Sequence, residues 1–145
     1  MQQYPHHYPV SASAQPEGNV SVSSPGLPAL LCAPPAQFDG PGDQWSPETL
    51  LVAAVANCFV LTFRAIARAS KLPWNNLHCE AEGVLDRVDG ALRFTHLVLH
   101  ARLVLPPGSD AEKGHRLLEK AEQTCLVTNS LLAERRLEGQ VEFEE

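Results

Sequence analysis

The stretch W-S-P-E-T-L-L-V-A-A-V-A-N-C-F-V-L-T-F-R-A-I-A-R, from Trp45 to Arg68, decides the fold. Ser46 suits an N-cap, Pro47 suits the first helical position, and Glu48 sets a carboxylate against the positive end of the helix dipole. Leu50 to Phe63 are fourteen residues without a charge. Only Asn57 and Thr62 among them carry strongly polar side chains, and apolar residues fall on every face. A helix of that kind is wrapped by protein. Fourteen uncharged residues are too few to cross a bilayer, so the expectation is a buried core helix. It runs from Pro47 to about Ser70, and Pro73 ends it. Near its middle stand Asn57 and Cys58; a second notable cysteine, Cys125, comes much later.

Upstream, nine of the twelve prolines precede Glu48. Short strands are expected at His7–Ala14 and Asn19–Ser24, turning at Pro16-Glu17-Gly18, and a third at Leu30–Ala33. A loop from Pro34 to Gly42 leads into the helix. Downstream, Leu77, Cys79, Ala81 and Leu85 alternate with His78, Glu80, Glu82 and Asp86, which is a strand pattern. Asp89-Gly90 signals a hairpin. In the returning strand Leu97, Leu99, Ala101, Leu103 and Leu105 share one face. Phe94, His96, Val98, His100 and Arg102 share the other, so this strand is expected to be partly covered on both sides. Ser109 or Asp110 caps a helix over about Ala111–Gln123. Leu118, Ala121 and Cys125 would lie on one face of it. A further helical piece at about Leu126–Glu134 and a closing edge strand at Gln140–Glu144 complete the chain.

The element order is β-β-β-α-β-β-α-α-β, an α+β fold in one domain, 1–145. Within it, residues 1–45 form Pro-rich strands and a loop, 46–72 the central helix, and 73–145 the hairpin, helices and closing strand. One small sheet covers only one side of an all-round apolar helix. A second copy of the chain is expected to cover the rest, and the alanines Ala53, Ala54 and Ala56 allow close approach.

Composition narrows the function. A net charge of −6 argues against nucleic acid and against an anionic membrane surface as partners. The opening residues lack a basic segment followed by an apolar one, so no signal peptide is expected, and a cytoplasmic location follows. Cys32, Cys58, Cys79 and Cys125 are spaced too widely for a zinc ribbon, and no Cys-x-x-Cys is present. Structural disulfides do not suit a reducing cytosol, which leaves inert buried thiols or a catalytic pair. Cys58 follows Asn57 in an apolar helix, and Cys125 sits at a helix junction whose free N–H groups would lower a thiol pKa. Cys32 and Cys79 read as bystanders. His96 and His100 lack a third ligand for a metal. No phosphate loop and no Gly-x-Ser-x-Gly elbow is found. Glu48 precedes Cys58 by about 15 Å of helix rise, so it cannot touch that thiol in its own chain. It is either a plain first-turn carboxylate or a group aimed at a neighbouring chain's thiol.

The run S-P-E-T-L-L-V-A-A-V-A-N-C-F (46–59) resembles the P-E-x-L … C-F signature of the OsmC/Ohr family, the osmotically inducible and organic hydroperoxide resistance proteins. K-A-E-Q-T-C-L-V-T-N-S-L (120–131) resembles that family's second cysteine motif. The resemblance implies an intertwined homodimer, with antiparallel sheets wrapped around buried central helices and active sites at the dimer interface. It implies a thiol-dependent peroxidase acting on small hydrophobic organic hydroperoxides, and less well on hydrogen peroxide, with no metal or other cofactor. Cys58 would be the peroxidatic thiolate and Cys125 the thiol that condenses with it. A lipoyl-type or other dithiol would be the external reductant, and Glu48 would match the family glutamate. The chain departs from the family at two positions: Pro16 stands where the family arginine belongs, with no arginine before Arg64, and Leu126 stands where a proline often follows the second cysteine. A replacement cation is sought at Arg87, Arg93 or Arg102, or in the other subunit. A dimer that binds a hydrophobic ligand or senses redox state without turnover is the alternative that the missing arginine supports.

Overall fold

Helix α1 spans Pro47–Ala69 in the computed structural model, which describes every residue from Met1 to Glu145. Its start follows from local chemistry. The Thr49 N–H donates to Ser46 Oγ at 3.1 Å, and the Ser46 N–H donates to Thr49 Oγ1 at 2.9 Å. This is a capping box in which threonine takes the place of the usual Glu or Gln. The chain forms two compact units, Met1–Leu50 and Leu51–Glu145, and α1 begins in the first.

The first unit holds strands β1 (Ser11–Ser13), β2 (Val20–Ser23) and β3 (Leu30–Cys32), antiparallel in that order. β1 is shorter than its sequence suggested, because β2 ends at Ser23, opposite Ser11, and leaves His7–Val10 without a strand partner. After β3 the chain returns beside itself: the Ala33 N–H donates to the Trp45 carbonyl at 2.9 Å. Only glycine fits at Gly40, where a Cβ would lie 1.8 Å from the Pro34 carbonyl oxygen.

The second unit contains β4 (Asn76–Val88), β5 (Ala91–Leu105), α2 (Ala111–Thr124), α3 (Leu126–Asn129) and β6 (Glu134–Phe143). Its sheet runs β4-β5-β6. β4 and β5 pair antiparallel through the Asp89-Gly90 turn, whose φ values of 51° and 82° are those of a type I′ hairpin. β6 pairs parallel to β5, so this sheet is mixed and not antiparallel throughout. Val55, Phe59, Phe63 and Ala67, spaced four apart on α1, share the core with Leu97, Leu99, Ala101, Leu103, Leu105, Leu118 and Ala121. Full burial stabilises each aromatic side chain here by roughly 1.5–3 kcal/mol. Helix and hairpin pack without slack: a Cβ on Gly83 would come within 2.6 Å of Val52 Cγ2 and 2.9 Å of Phe94 Cε1.

Three expectations change. The helical piece after Cys125 ends at Asn129, and β6 begins at Glu134, six residues earlier than the alternating Val141 and Phe143 indicated. A register shift at Val84/Leu85 turns Phe94 toward the core and leaves Leu85 exposed. The other face of β5 is partly covered as expected: Val98 and Val104 are half-buried, while His96, His100 and Arg102 lie exposed and pair with Glu134, Glu138 and Glu142 of β6. Finally, α1 at 23 residues is long and apolar enough to cross a membrane by length and composition, since the few charged residues near its ends do not spoil its apolar run. Its burial is confined to the stripe on the sheet, and Leu61 on another face is half exposed.

Candidate active site

Two turns of α1 and the break between α2 and α3 bring Cys58 and Cys125 together. α2 ends at Thr124, and Cys125 has extended backbone (φ −64°, ψ 111°) before α3 begins. The expected face of Leu118, Ala121 and Cys125 is fully covered, with each residue at most 1% exposed. The break turns the Cys125 thiol toward α1, where it hydrogen-bonds to the Cys58 sulfur. The Thr128 hydroxyl donates to Cys125 Sγ at 3.4 Å, and Thr62 Oγ1 lies 3.8 Å from Cys58 Sγ. Asn57, the neighbour of Cys58 in sequence, is exposed.

The two sulfurs ionise in opposite directions. Burial alone would raise the Cys58 pKa, but the N–H groups of Val127 and Leu126, the Cys125 thiol and the Thr62 hydroxyl hold it below its ordinary value. Burial pushes Cys125 up, and the neighbouring Cys58 charge adds to the rise. Of the two, Cys58 is therefore the thiol that ionises first as the pH rises. The junction's N–H groups thus act on Cys58, and Cys125 itself is not activated as the sequence suggested. The groups favouring the thiolate are all uncharged. The arginines considered as replacements are engaged elsewhere: Arg102 with Glu142 at 3.6 Å and Arg87 with the Gly90 carbonyl at 3.2 Å, while Arg93 is exposed. Val127, Leu126, Thr62 and Thr128 escaped the sequence reading. A backbone donor has no residue signature, and the hydroxyls stand out only once the thiols are known to meet.

Glu48 belongs to the first unit. Together with Ala12, Val20, Val22, Cys32 and Phe38 it lines an apolar groove of about 470 Å³. Its Oε1 is buried there without a hydrogen-bond partner, as is Gln44 Oε1. Cys32 is buried and Cys79 half-buried; burial raises the Cys79 pKa to about 11, with the Cys125 and Glu80 charges adding to it.

A protein-family model, OsmC-like protein, matches residues 40–138. The chain belongs to that family. This OsmC-like chain is 27% identical over 143 residues to the uncharacterized protein YmaD of Bacillus subtilis, covering 96% of this chain and 91% of that one. It is 27% identical over 121 residues to the organic hydroperoxide resistance protein of Xanthomonas axonopodis pv. citri, covering 83% and 82%. Its fold matches an OsmC-like protein of unknown function from Vibrio cholerae with a TM-score of 0.86 at 18% identity, over 94% of this chain and all (100%) of that one. The OsmC-like fold is therefore that of the whole chain, and both cysteines lie inside the matched region.

Proposed function

We propose that this OsmC-like protein is a thiol-dependent peroxidase that reduces organic hydroperoxides. The observation that carries the reading is the hydrogen-bonded Cys58–Cys125 pair, in which uncharged donors favour the Cys58 thiolate. The similarity to an organic hydroperoxide resistance protein supports it. The Cys58 thiolate attacks the terminal oxygen of the hydroperoxide. The O–O bond breaks, the alkoxide leaves and takes up a proton as the alcohol, and Cys58 becomes a sulfenic acid. The Cys125 sulfur then attacks the sulfenic sulfur; an S–S bond forms, the S–O bond breaks, and hydroxide leaves as water with the thiol proton. An external dithiol returns the two electrons by two exchanges and is itself oxidised to a disulfide. No metal or prosthetic group is needed for any step, and the protein works in the cytosol.

The proposed working form is a homodimer. Leu61 and Ala65 lie exposed on α1, and an apolar helix face of this kind is covered by a second copy. In such a dimer the unpartnered Glu48 oxygen would face the partner chain, which is the role of a positioning carboxylate.

The test is to add one equivalent of cumene hydroperoxide to the reduced protein and map disulfides by peptide mass. The expected result is cumyl alcohol with a 58–125 disulfide, and native mass spectrometry reporting a dimer. Unconsumed peroxide, or oxidation confined to Cys32 or Cys79, would overturn the reading.

A further inference from the structure

Arg135 occupies an inward position of β6. On that side of the strand Leu137 and Val141 are half-buried against the core, and a Cβ on Gly139 would meet Leu118 Cδ1 at 3.2 Å. Glu134, Arg136 and Glu138 alternate outward and are exposed. A guanidinium on the covered side costs desolvation unless its donors find acceptors. Here they do. Arg135 Nε donates to Glu122 Oε1 at 2.5 Å, and its two terminal nitrogens donate to the Glu122 backbone carbonyl and to Asn129 Oδ1. The Arg135 and Glu122 side chains are 26% and 15% exposed, so the pair is only slightly wet. Asn129 continues the network, donating from Nδ2 to the Gln123 carbonyl at 3.2 Å and from its N–H to the Cys125 carbonyl at 2.9 Å.

Glu122 and Gln123 lie in the last turn of α2, and Asn129 is the last residue of α3. Cys125 stands between them, in the one place where the helical hydrogen bonding is interrupted. A single guanidinium therefore ties both flanks of Cys125 to each other and to the sheet. Left to itself, a four-residue helix after a break would fray. We propose that Arg135 is a positioning residue for the Cys58–Cys125 pair. Its grip on Glu122 and Asn129 holds residues 125–127 against α1, so that the Cys125 thiol and the N–H groups of Leu126 and Val127 stay on the Cys58 sulfur. Arg135 acts entirely through Glu122 and Asn129, since its guanidinium donates to neither sulfur. Lysine is a poor substitute, because a point charge does not reproduce a planar fork that serves three acceptors. The value of this positioning to the cell rests on the peroxidase reading; the positioning itself does not.

The test measures iodoacetamide alkylation of Cys58 against pH in the full-length chain, read by peptide mass, for the unmodified protein and for Arg135→Gln, Arg135→Lys and Glu122→Gln. In Arg135→Gln the midpoint of the profile should rise by about one pH unit, lowering the alkylation rate on the acid side of the midpoint by about tenfold. Arg135→Lys should recover only part of that loss, and Glu122→Gln should fall between the two. A purely structural arginine would lower the unfolding temperature and leave the midpoint where it was; that result overturns the proposal. If Arg135→Gln does not fold, Glu122→Gln and Asn129→Ala decide by the same criterion, and an unmoved midpoint in both overturns it. Failure of the unmodified protein to consume hydroperoxide would remove the peroxidase reading alone, because the alkylation profile does not depend on turnover.

Discussion

Cys58 and Cys79 belong to the same unit and both are half-buried, yet their pKa values shift in opposite directions. Burial disfavours the charged form of each. The difference lies in what the backbone around them has left to donate. β4 pairs with β5 over its whole length, so its N–H groups are committed to the ladder or to solvent, and Cys79 finds only the carbonyl of Glu80 at 3.9 Å. Cys58 faces a chain that has just broken a helix and started another. The first N–H groups of a helix have no partner within it, and those of Leu126 and Val127 turn to the sulfur. A regular strand leaves its thiol without donors, whereas a helix break supplies them, and Cys79 is in addition the more deeply buried of the two.

This contrast can be broken by exchange of the sulfurs for oxygen. Cys58→Ser should lower the turnover of cumene hydroperoxide with a dithiol reductant by about three orders of magnitude or more, while Cys79→Ser leaves it within about twofold. Equal losses would mean that both thiols serve the reaction. The second comparison is direct. At neutral pH, Cys58 should alkylate with iodoacetamide at least about a hundredfold faster than Cys79, because the gap between their pKa values exceeds two units, and each unit is about tenfold in thiolate. The sign follows from the directions of the shifts. The Cys58 rate should fall as the pH drops through its lowered pKa, and the Cys79 rate should climb only as the pH rises toward about 11. Rates that rise in parallel would show that the backbone donors do not act. The smallest effect sharpens the assignment of donors. Thr62→Val removes one weak hydroxyl contact at 3.8 Å and should slow Cys58 alkylation by about two- to threefold, a few tenths of a pH unit. A larger loss would place the main support on Thr62 rather than on the junction.

Much of this was legible in residues. Ser46-Pro47-Glu48 and the apolar run after it set α1 to within a residue of its observed end, because capping and hydrophobicity agree there. Leu97 to Leu105 named the covered face of β5 correctly, because alternation is strict in that segment. The start of β6 was hidden by Glu134, Arg135 and Arg136: three charges in a row look like loop, although Arg135 occupies a core-side position with its own acceptors. The shift at Leu85 was also hidden, since an extra residue in one strand changes which face Phe94 takes without changing the composition. At the site, the sequence supplied both cysteines through the resemblance of their surrounding motifs. It did not supply the answer to Pro16. The sequence points to a side-chain cation, whereas the groups that favour the Cys58 thiolate within its own unit are two peptide N–H groups, a thiol and a hydroxyl, none of them charged.

The parallel pairing of β6 with β5 bears on when the thiols become reactive. Parallel neighbours cannot be joined by a tight turn, so the chain leaves β5 at Leu105, passes through α2 and α3, and re-enters the sheet at Glu134. Cys125 rides on that crossover, and Arg135, which fastens it, is the second residue of the returning strand. Non-local strand pairing is a slow stage in folding, since the loop must close before its contacts form. During synthesis Cys58 emerges long before the segment that lowers its pKa, and it remains an ordinary thiol until the last strand docks. The donors that lower the Cys58 pKa are thereby withheld from the nascent chain and supplied only once the sheet is complete.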